Sequence, residues 1–238
     1  MASDLNFYFD PVCPFAWITS KWVRMVALRR DYSVDWRFIS LRLINADVDY
    51  ATHFPAGYED GHTAGLRLLR VAARVRAEYG NPTVDALYSA IGTRLFDTPR
   101  TEHLDAADQA ARHLLEPLLE QIGLPTELAD ALDESGYDPQ IQAETDEALA
   151  LTGRDVGTPI LHFQPPEGVA FFGPVISRLP KPEDAINRCA RPFRLRATSR
   201  ETTTAHSGRI GLHATKTRRL RRRGTVVRTT SGRPAQAG

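Results

Sequence analysis

The chain has 238 residues, 42% hydrophobic and 25% charged, enough to bury the core of one large domain or of a domain carrying an insertion. Its formal charge of +1 conceals a division: residues 1–190 hold 17 Lys and Arg against 28 Asp and Glu, whereas residues 191–238 hold 13 against Glu201 alone. Two cysteines, Cys13 and Cys189, exclude a disulfide scaffold and a cysteine-built zinc site, and no run of 18 apolar residues offers a membrane span.

Leu5-Asn-Phe-Tyr-Phe9 is short and aromatic, as a buried strand is, and Asp10-Pro11 breaks it. Pro14 stands where the first residue of a helix would be, its missing N–H costing nothing there. Ile18, Trp22, Met25 and Val26 then recur at helical spacing and predict a helix over about 14–30. Val34 to Ile39 alternates apolar and polar residues, so the order begins strand, helix, strand. From about 60 to 152 the pattern is helical throughout. Leu68, Leu69, Ala72, Val75 and Tyr79 make one stripe, ended by Gly80-Asn81-Pro82. Leu104, Ala107, Ala111, Leu114, Leu115, Leu118 and Ile122 make another, which Pro117 must kink or split. Asp138-Pro139 opens a last helix of this block and Gly153 closes it. These stripes read as core. Ile160 to Phe163 and Val169 to Phe172 flank the turn Pro165-Pro-Glu-Gly168 and predict a hairpin, and Glu183 to about Ala190 predicts a short helix.

Cys13 is the sharpest chemical feature. At a strand-to-helix junction its sulfur faces the free N–H groups and positive end of the helix dipole. Thiols so placed ionise at pKa values of ~3.5–7.5, and the thiolate is the nucleophile. The plain alternative is a small buried hydrophobe. Val156-Gly157-Thr158-Pro159 stands directly before a strand, where a cis-proline turn fits, although sequence alone does not assign the isomer.

The run Phe9-Asp-Pro-Val-Cys-Pro-Phe-Ala-Trp-Ile-Thr-Ser-Lys-Trp22, with Asp155-Val-Gly-Thr-Pro159 and Ala170-Phe-Phe-Gly-Pro174, resembles the DsbA-type thioredoxin-fold oxidoreductases. Within them it is most similar to the actinobacterial mycothiol-dependent nitroreductases, over about residues 4–190. The resemblance implies an α/β, thioredoxin-like fold with an all-helical insertion between the second strand and the Thr-Pro loop. The parts would be 1–58 and 154–190 for the thioredoxin-like domain and 59–153 for the insertion, followed by a basic tail at 191–238. It implies Cys13 as the attacking thiol and Pro159 as the cis-proline facing it, with Thr158 offering backbone groups to a bound thiol or peptide. Pro14, Phe15 and Trp17 complete the implied thiol- and substrate-binding set. Mycothiol, a small-molecule thiol, is the implied co-substrate beside a thiol-linked or nitroaromatic substrate. No metal, nucleotide or membrane partner is expected, and a homo-oligomer stays open. The expected setting is the cytoplasm, where thiols stay reduced; the N-terminal Met1-Ala-Ser-Asp-Leu5 has no secretory-signal pattern.

One departure matters. The two-cysteine family motif is Cys-Pro-x-Cys, whereas this chain has Cys13-Pro14-Phe15-Ala16, and an alanine cannot resolve a mixed disulfide. Three readings stay open: a monothiol cycle with mycothiol, a thiol transferase or isomerase, and a noncatalytic thiol- or peptide-binding protein. Cys189 reads as a half-buried helix cysteine rather than a remote resolving thiol. Asp10 either tunes Cys13, raising its pKa as a negative neighbour would, or caps the turn. By the same resemblance a histidine would follow the segment at 92–95, and Phe96 stands there instead. His53, His62, His103 and His113 lack metal-ligand spacing and read as solvated. No phosphate loop, GxSxG or HExxH is present.

The remainder, centred on Arg218-Arg-Leu-Arg-Arg-Arg-Gly224, has no hydrophobic periodicity and is expected to be disordered. Without interleaved aromatics or a folded module it is not expected to bind nucleic acid specifically. Its composition resembles out-of-frame translation of GC-rich DNA.

Overall fold

The computed structural model describes residues 3–99, 105–176, 178 and 179, all in the first of the two units into which the chain divides, residues 1–197. The short helix expected at 183–190, Cys189 and the basic tail lie outside the described residues.

Leu5–Phe9 (β1) is buried along its whole length, which is why its sequence runs aromatic and apolar without a clean alternation. Pro14–Arg30 (α1) carries the chain over to Val34–Phe38 (β2), which pairs with β1 in parallel, Leu5 opposite Val34 and Phe9 opposite Phe38. A parallel pair needs such a crossover. Asp31, in the left-handed conformation at φ 53°, ends α1. On the other side of β1 lies antiparallel Ile160–Phe163 (β3), with Phe7 opposite Leu161, and then antiparallel Val169–Phe172 (β4), giving the order β2-β1-β3-β4. The strand containing the 9-to-10 junction is therefore central, and the loop leaving it is held on both sides.

Between β2 and β3 every regular element among the described residues is helical: Leu41–Ile44 (α2), Tyr50–His53 (α3), Tyr58–Tyr79 (α4), Asn81–Gly92 (α5), Arg112–Gln121 (α6) and Asp138–Thr152 (α7), with a π-helical turn at Thr93–Asp97 and 3₁₀ turns between α5 and α7. This is the thioredoxin-like α/β fold with its helical insertion. Detail differs from the sequence reading. Pro117 neither splits nor ends α6; it is the sixth of ten residues and removes a single backbone donor. The buried leucines of α6 are Leu115 and Leu119, while Leu114 and Leu118 sit half-buried beside them, so the packed stripe is rotated by one position. Tyr79, placed on the core stripe of α4, is 43% exposed at the helix end, and Leu104 lies outside the described residues. Thr126–Asp133, in a block expected to be uniformly α-helical, is 3₁₀, with Leu128, Ala129, Ala131 and Leu132 buried. No helix among the described residues is long and apolar enough to cross a membrane.

β2 is an edge strand, and side chains close its open edge. Asn81 accepts from the Trp36 N–H at 3.0 Å and donates to the Trp36 carbonyl at 3.2 Å. Glu144 accepts from the Phe38 N–H at 2.8 Å, and Thr145 Oγ1 accepts from the Ser40 N–H at 3.1 Å. The start of α5 and the middle of α7 thus serve as a substitute neighbour strand, blocking the pairing with other chains that bare edges invite.

Candidate active site around Cys13

Pro11 and Val12 turn the chain out of β1, and the Cys13 N–H closes that turn on the Asp10 carbonyl at 3.1 Å. Cys13 is the N-cap of α1, in an extended conformation, with Pro14 first in the helix. Its Sγ accepts from the Ala16 N–H at 3.4 Å, satisfying one of the free donors of the first turn. From the far side of the sequence, the loop before β3 brings Thr158: the Cys13 thiol donates to its carbonyl at 3.4 Å. Thr158 is itself fixed by its hydroxyl, which donates to the Tyr8 carbonyl at 3.2 Å. The Thr158–Pro159 peptide is cis, and the Pro159 carbonyl accepts from the Gly173 N–H at 2.8 Å. Central placement of β1, with β3 beside it, is what joins residues 145 positions apart.

The named residues divide by position. Cys13 and Thr158 meet, and both are buried, as is Pro159 beside them in sequence. Pro14 is exposed and Phe15 is 45% exposed, so these two form the outer rim of the first turn. Trp17 turns inward and is only 3% exposed. Its ring packs edge-on to Tyr88, and its indole N–H donates to Asp97 at 3.2 Å; Lys21 pairs with the same carboxylate at 2.6 Å. Asp97 closes the π-helical turn that follows α5, an irregularity often found near functional sites. Pattern reading missed Asp97, because nothing in local sequence links it to Trp17 eighty residues earlier. Gly92 offered a signal: a Cβ there would lie 2.2 Å from Trp17 Cε3, so only glycine lets α5 approach the ring. Gly92→Ala is therefore expected to cost about 1–3 kcal/mol and to shift the tryptophan emission, as measured by chemical unfolding followed through fluorescence.

The electrostatics correct one expectation. The helix N-terminus does lower the thiol, through the Ala16 and Phe15 N–H groups, but burial outweighs it and, with the Asp10 charge adding to it, pushes Cys13 up to about 11. In this closed arrangement Cys13 is a thiol, not a thiolate, at neutral pH. His62 is corrected too. It is 9% exposed rather than solvated, its Nδ1 hydrogen-bonds the Tyr50 hydroxyl at 3.0 Å, and burial lowers its pKa. His53 and His113 are exposed, and His103 lies outside the described residues. No group of three or more His, Cys, Asp or Glu suited to a metal occurs among the described residues. A broad cleft of about 1610 Å³, lined by Asn6, Trp36, Asn81 and His162 among others, contains none of the residues gathered at Cys13.

A cysteine capping the first helix of a thioredoxin fold, against a cis-proline loop and beneath a helical insertion, defines the class: DsbA-type proteins of thioredoxin fold. The model of the family described as "Rv2466c-like: Mycothiol-dependent nitroreductase Rv2466c" matches residues 12–197, and the chain belongs to that family. The match extends to residue 197, past residue 190, where the sequence resemblance ends. A curated relative, the uncharacterized protein Rv2286c of Mycobacterium tuberculosis, is 32% identical over 186 residues, 78% of this chain and 74% of the relative. Among solved structures, the cytosolic disulfide reductase DsbM from Pseudomonas aeruginosa superposes with a TM-score of 0.51 at 17% identity, covering 80% of this chain and 98% of DsbM, a likeness of fold. Family and fold together support a thiol–disulfide oxidoreductase role.

Proposed function

We propose that the protein is a monothiol oxidoreductase, with Cys13 as its reacting sulfur and mycothiol as its co-thiol, working in a reducing cytoplasm. The observation that carries the reading is the environment of Cys13 Sγ, a helix-capping sulfur bonded to the Ala16 N–H and facing the Thr158 carbonyl, with alanine and not a second thiol at position 16. Cys13 gives up its proton, and its sulfur attacks the mycothiol sulfur of a disulfide formed between mycothiol and a substrate thiol. A new S–S bond to Cys13 forms, the old S–S bond breaks, and the other half leaves as thiolate and takes up a proton. A mycothiol thiolate then attacks the mixed disulfide and releases Cys13, so the cycle needs no resolving cysteine. Over the cycle the two mycothiols leave joined as a disulfide, and the pair of electrons they give up has reduced the departing half, the thiol-linked substrate, to its free thiol. Pro14 and Phe15 form the exposed rim such partners would meet, and Thr158 and Pro159 the wall opposite the sulfur; Trp17 would act from behind, holding the first turn of α1.

The test is incubation of the reduced protein with oxidised mycothiol and, separately, oxidised glutathione, followed by intact mass and mapping by digestion. A mycothiol adduct on Cys13, absent from Cys13→Ser and released by free mycothiol, is the expected result. A folded sample that takes up neither disulfide would overturn the redox reading in favour of a binding protein.

A further inference from the structure

Asp10 is wholly buried. Its Oδ1 accepts from the Val12 N–H at 3.1 Å and its Oδ2 from the Leu41 N–H at 2.8 Å, and no lysine, arginine or histidine pairs with it among the described residues. Gly65 of α4 closes over it, near enough that a Cβ there would stand 2.4 Å from Oδ1. Two neutral donors compensate a buried carboxylate only partly, and no cation completes the work. The same residue's carbonyl holds the Cys13 N–H, so acid and thiol occupy one tight turn, both shut off from water.

We propose that Asp10 is a positioning residue that governs the ionisation of Cys13: as the neutral acid it admits the thiolate, and as the carboxylate it opposes it. The groups facing Asp10 fit this role. Its negative charge raises the pKa of three acids around it, Cys13 of its own loop, Tyr50 of α3 and Tyr88 of α5. α2 contributes only the Leu41 N–H, α4 contributes Gly65, and the His62 ring of α4 is turned to Tyr50. Burial holds Asp10 up to about 7, so the two protons of the pair leave in separate steps, the carboxyl first. Above that step a carboxylate stands beside the thiol in a medium of low dielectric and holds the second proton on sulfur. The loop thus carries a brake on its own nucleophile, a buried charge that raises the cost of forming the thiolate.

The inference rests on Cys13 as the reacting sulfur, but its test needs no turnover. Thiolate absorbance near 240 nm and the pH profile of iodoacetamide alkylation give the Cys13 midpoint. Asp10→Asn is expected to lower it by about one unit, roughly tenfold more thiolate at any pH below the midpoint. An unchanged or higher midpoint in a folded variant overturns the proposal. Asparagine leaves one of the two N–H groups facing a donor, so a second measurement covers failure to fold. In the native protein the Asp10 carboxyl carbon, followed by ¹³C NMR, is expected to show its own inflection and another coincident with the Cys13 midpoint, the latter lost in Cys13→Ser. A single inflection overturns the coupling. A Cys13 that takes up no disulfide yet titrates with Asp10 would instead sink the proposed function and leave the coupling standing.

Discussion

Placing a second sulfur at position 16, by Ala16→Cys, is expected to shorten the life of a mixed disulfide on Cys13 by roughly a hundredfold or more, the advantage of an intramolecular attack over dilute free thiol. The backbone N–H of residue 16 already lies 3.4 Å from Cys13 Sγ. Residues three apart in a first helical turn have Cβ atoms about 5–6 Å apart, somewhat beyond the ~3.5–4.5 Å of a disulfide, so closing the bond needs a small backbone adjustment. Ala16 is fully buried, so the new thiol would be held in place rather than lost to solvent. On the monothiol proposal the adduct in the native chain has no internal exit, so its decay is expected to scale with added mycothiol. In the variant the decay becomes independent of added thiol and ends in an internal disulfide between Cys13 and the introduced sulfur, a loss of two hydrogens from the dithiol that intact mass spectrometry resolves. An adduct equally long-lived in both proteins would mean that residue 16 does not control resolution. An adduct in the native chain that vanishes without added thiol would mean that another group resolves it.

Glu144→Ala is expected to cost about 3–5 kcal/mol in chemical unfolding, the loss that follows when one partner of a buried ion pair is removed. Glu144 is 9% exposed, and its Oε1 meets Arg76 Nη2 at 2.5 Å. Oε2 also accepts from Arg76 Nη1 at 3.2 Å and from the Phe38 N–H at 2.8 Å. Alanine would leave a guanidinium, stacked 4.0 Å from the Phe38 ring, without its counter-charge and a strand-edge N–H without an acceptor. Glu144→Gln keeps an acceptor and is expected to lose less. Breaking the exposed pair of Arg112 with Asp130 is the control, expected to change stability little because water replaces the partner. A loss below about 1 kcal/mol for Glu144→Ala would show that the edge of β2 does not depend on α7.

Local sequence carried much of the architecture because the signals involved act over a few residues. Pro14 at the first helical position, the aromatic run of β1, Gly80 and Gly153 after helices, and the turn at 165–168 each declare themselves through backbone constraints that no distant contact overrides. The motif around Cys13 and the Thr-Pro loop were legible for the same reason, and by resemblance they led to the family that the comparison shows. Helix type was less legible. Thr126–Asp133 buries an apolar face as an α-helix would, and whether it winds as α or 3₁₀ depends on what it packs against, here α4 and α6.

What tertiary structure alone decided is the state of the sulfur. Read locally, Cys13 sits at a helix N-terminus and is therefore acidic; in the folded chain it is also buried against Thr158 and shares a dry turn with Asp10, and desolvation exceeds the pull of two N–H groups. The same holds for Trp17, whose Asp97 and Gly92 partners arrive from α5 and the turn after it, and for Glu144, which finds the edge of β2 from a helix 106 residues away. Sequence by itself determined where strands and helices begin, because backbone preference and periodicity are local, and it singled out Cys13 as the candidate nucleophile. Burial and charge pairing sum over groups that only the fold brings together, so the direction in which that thiol's pKa moves was decided by the tertiary structure.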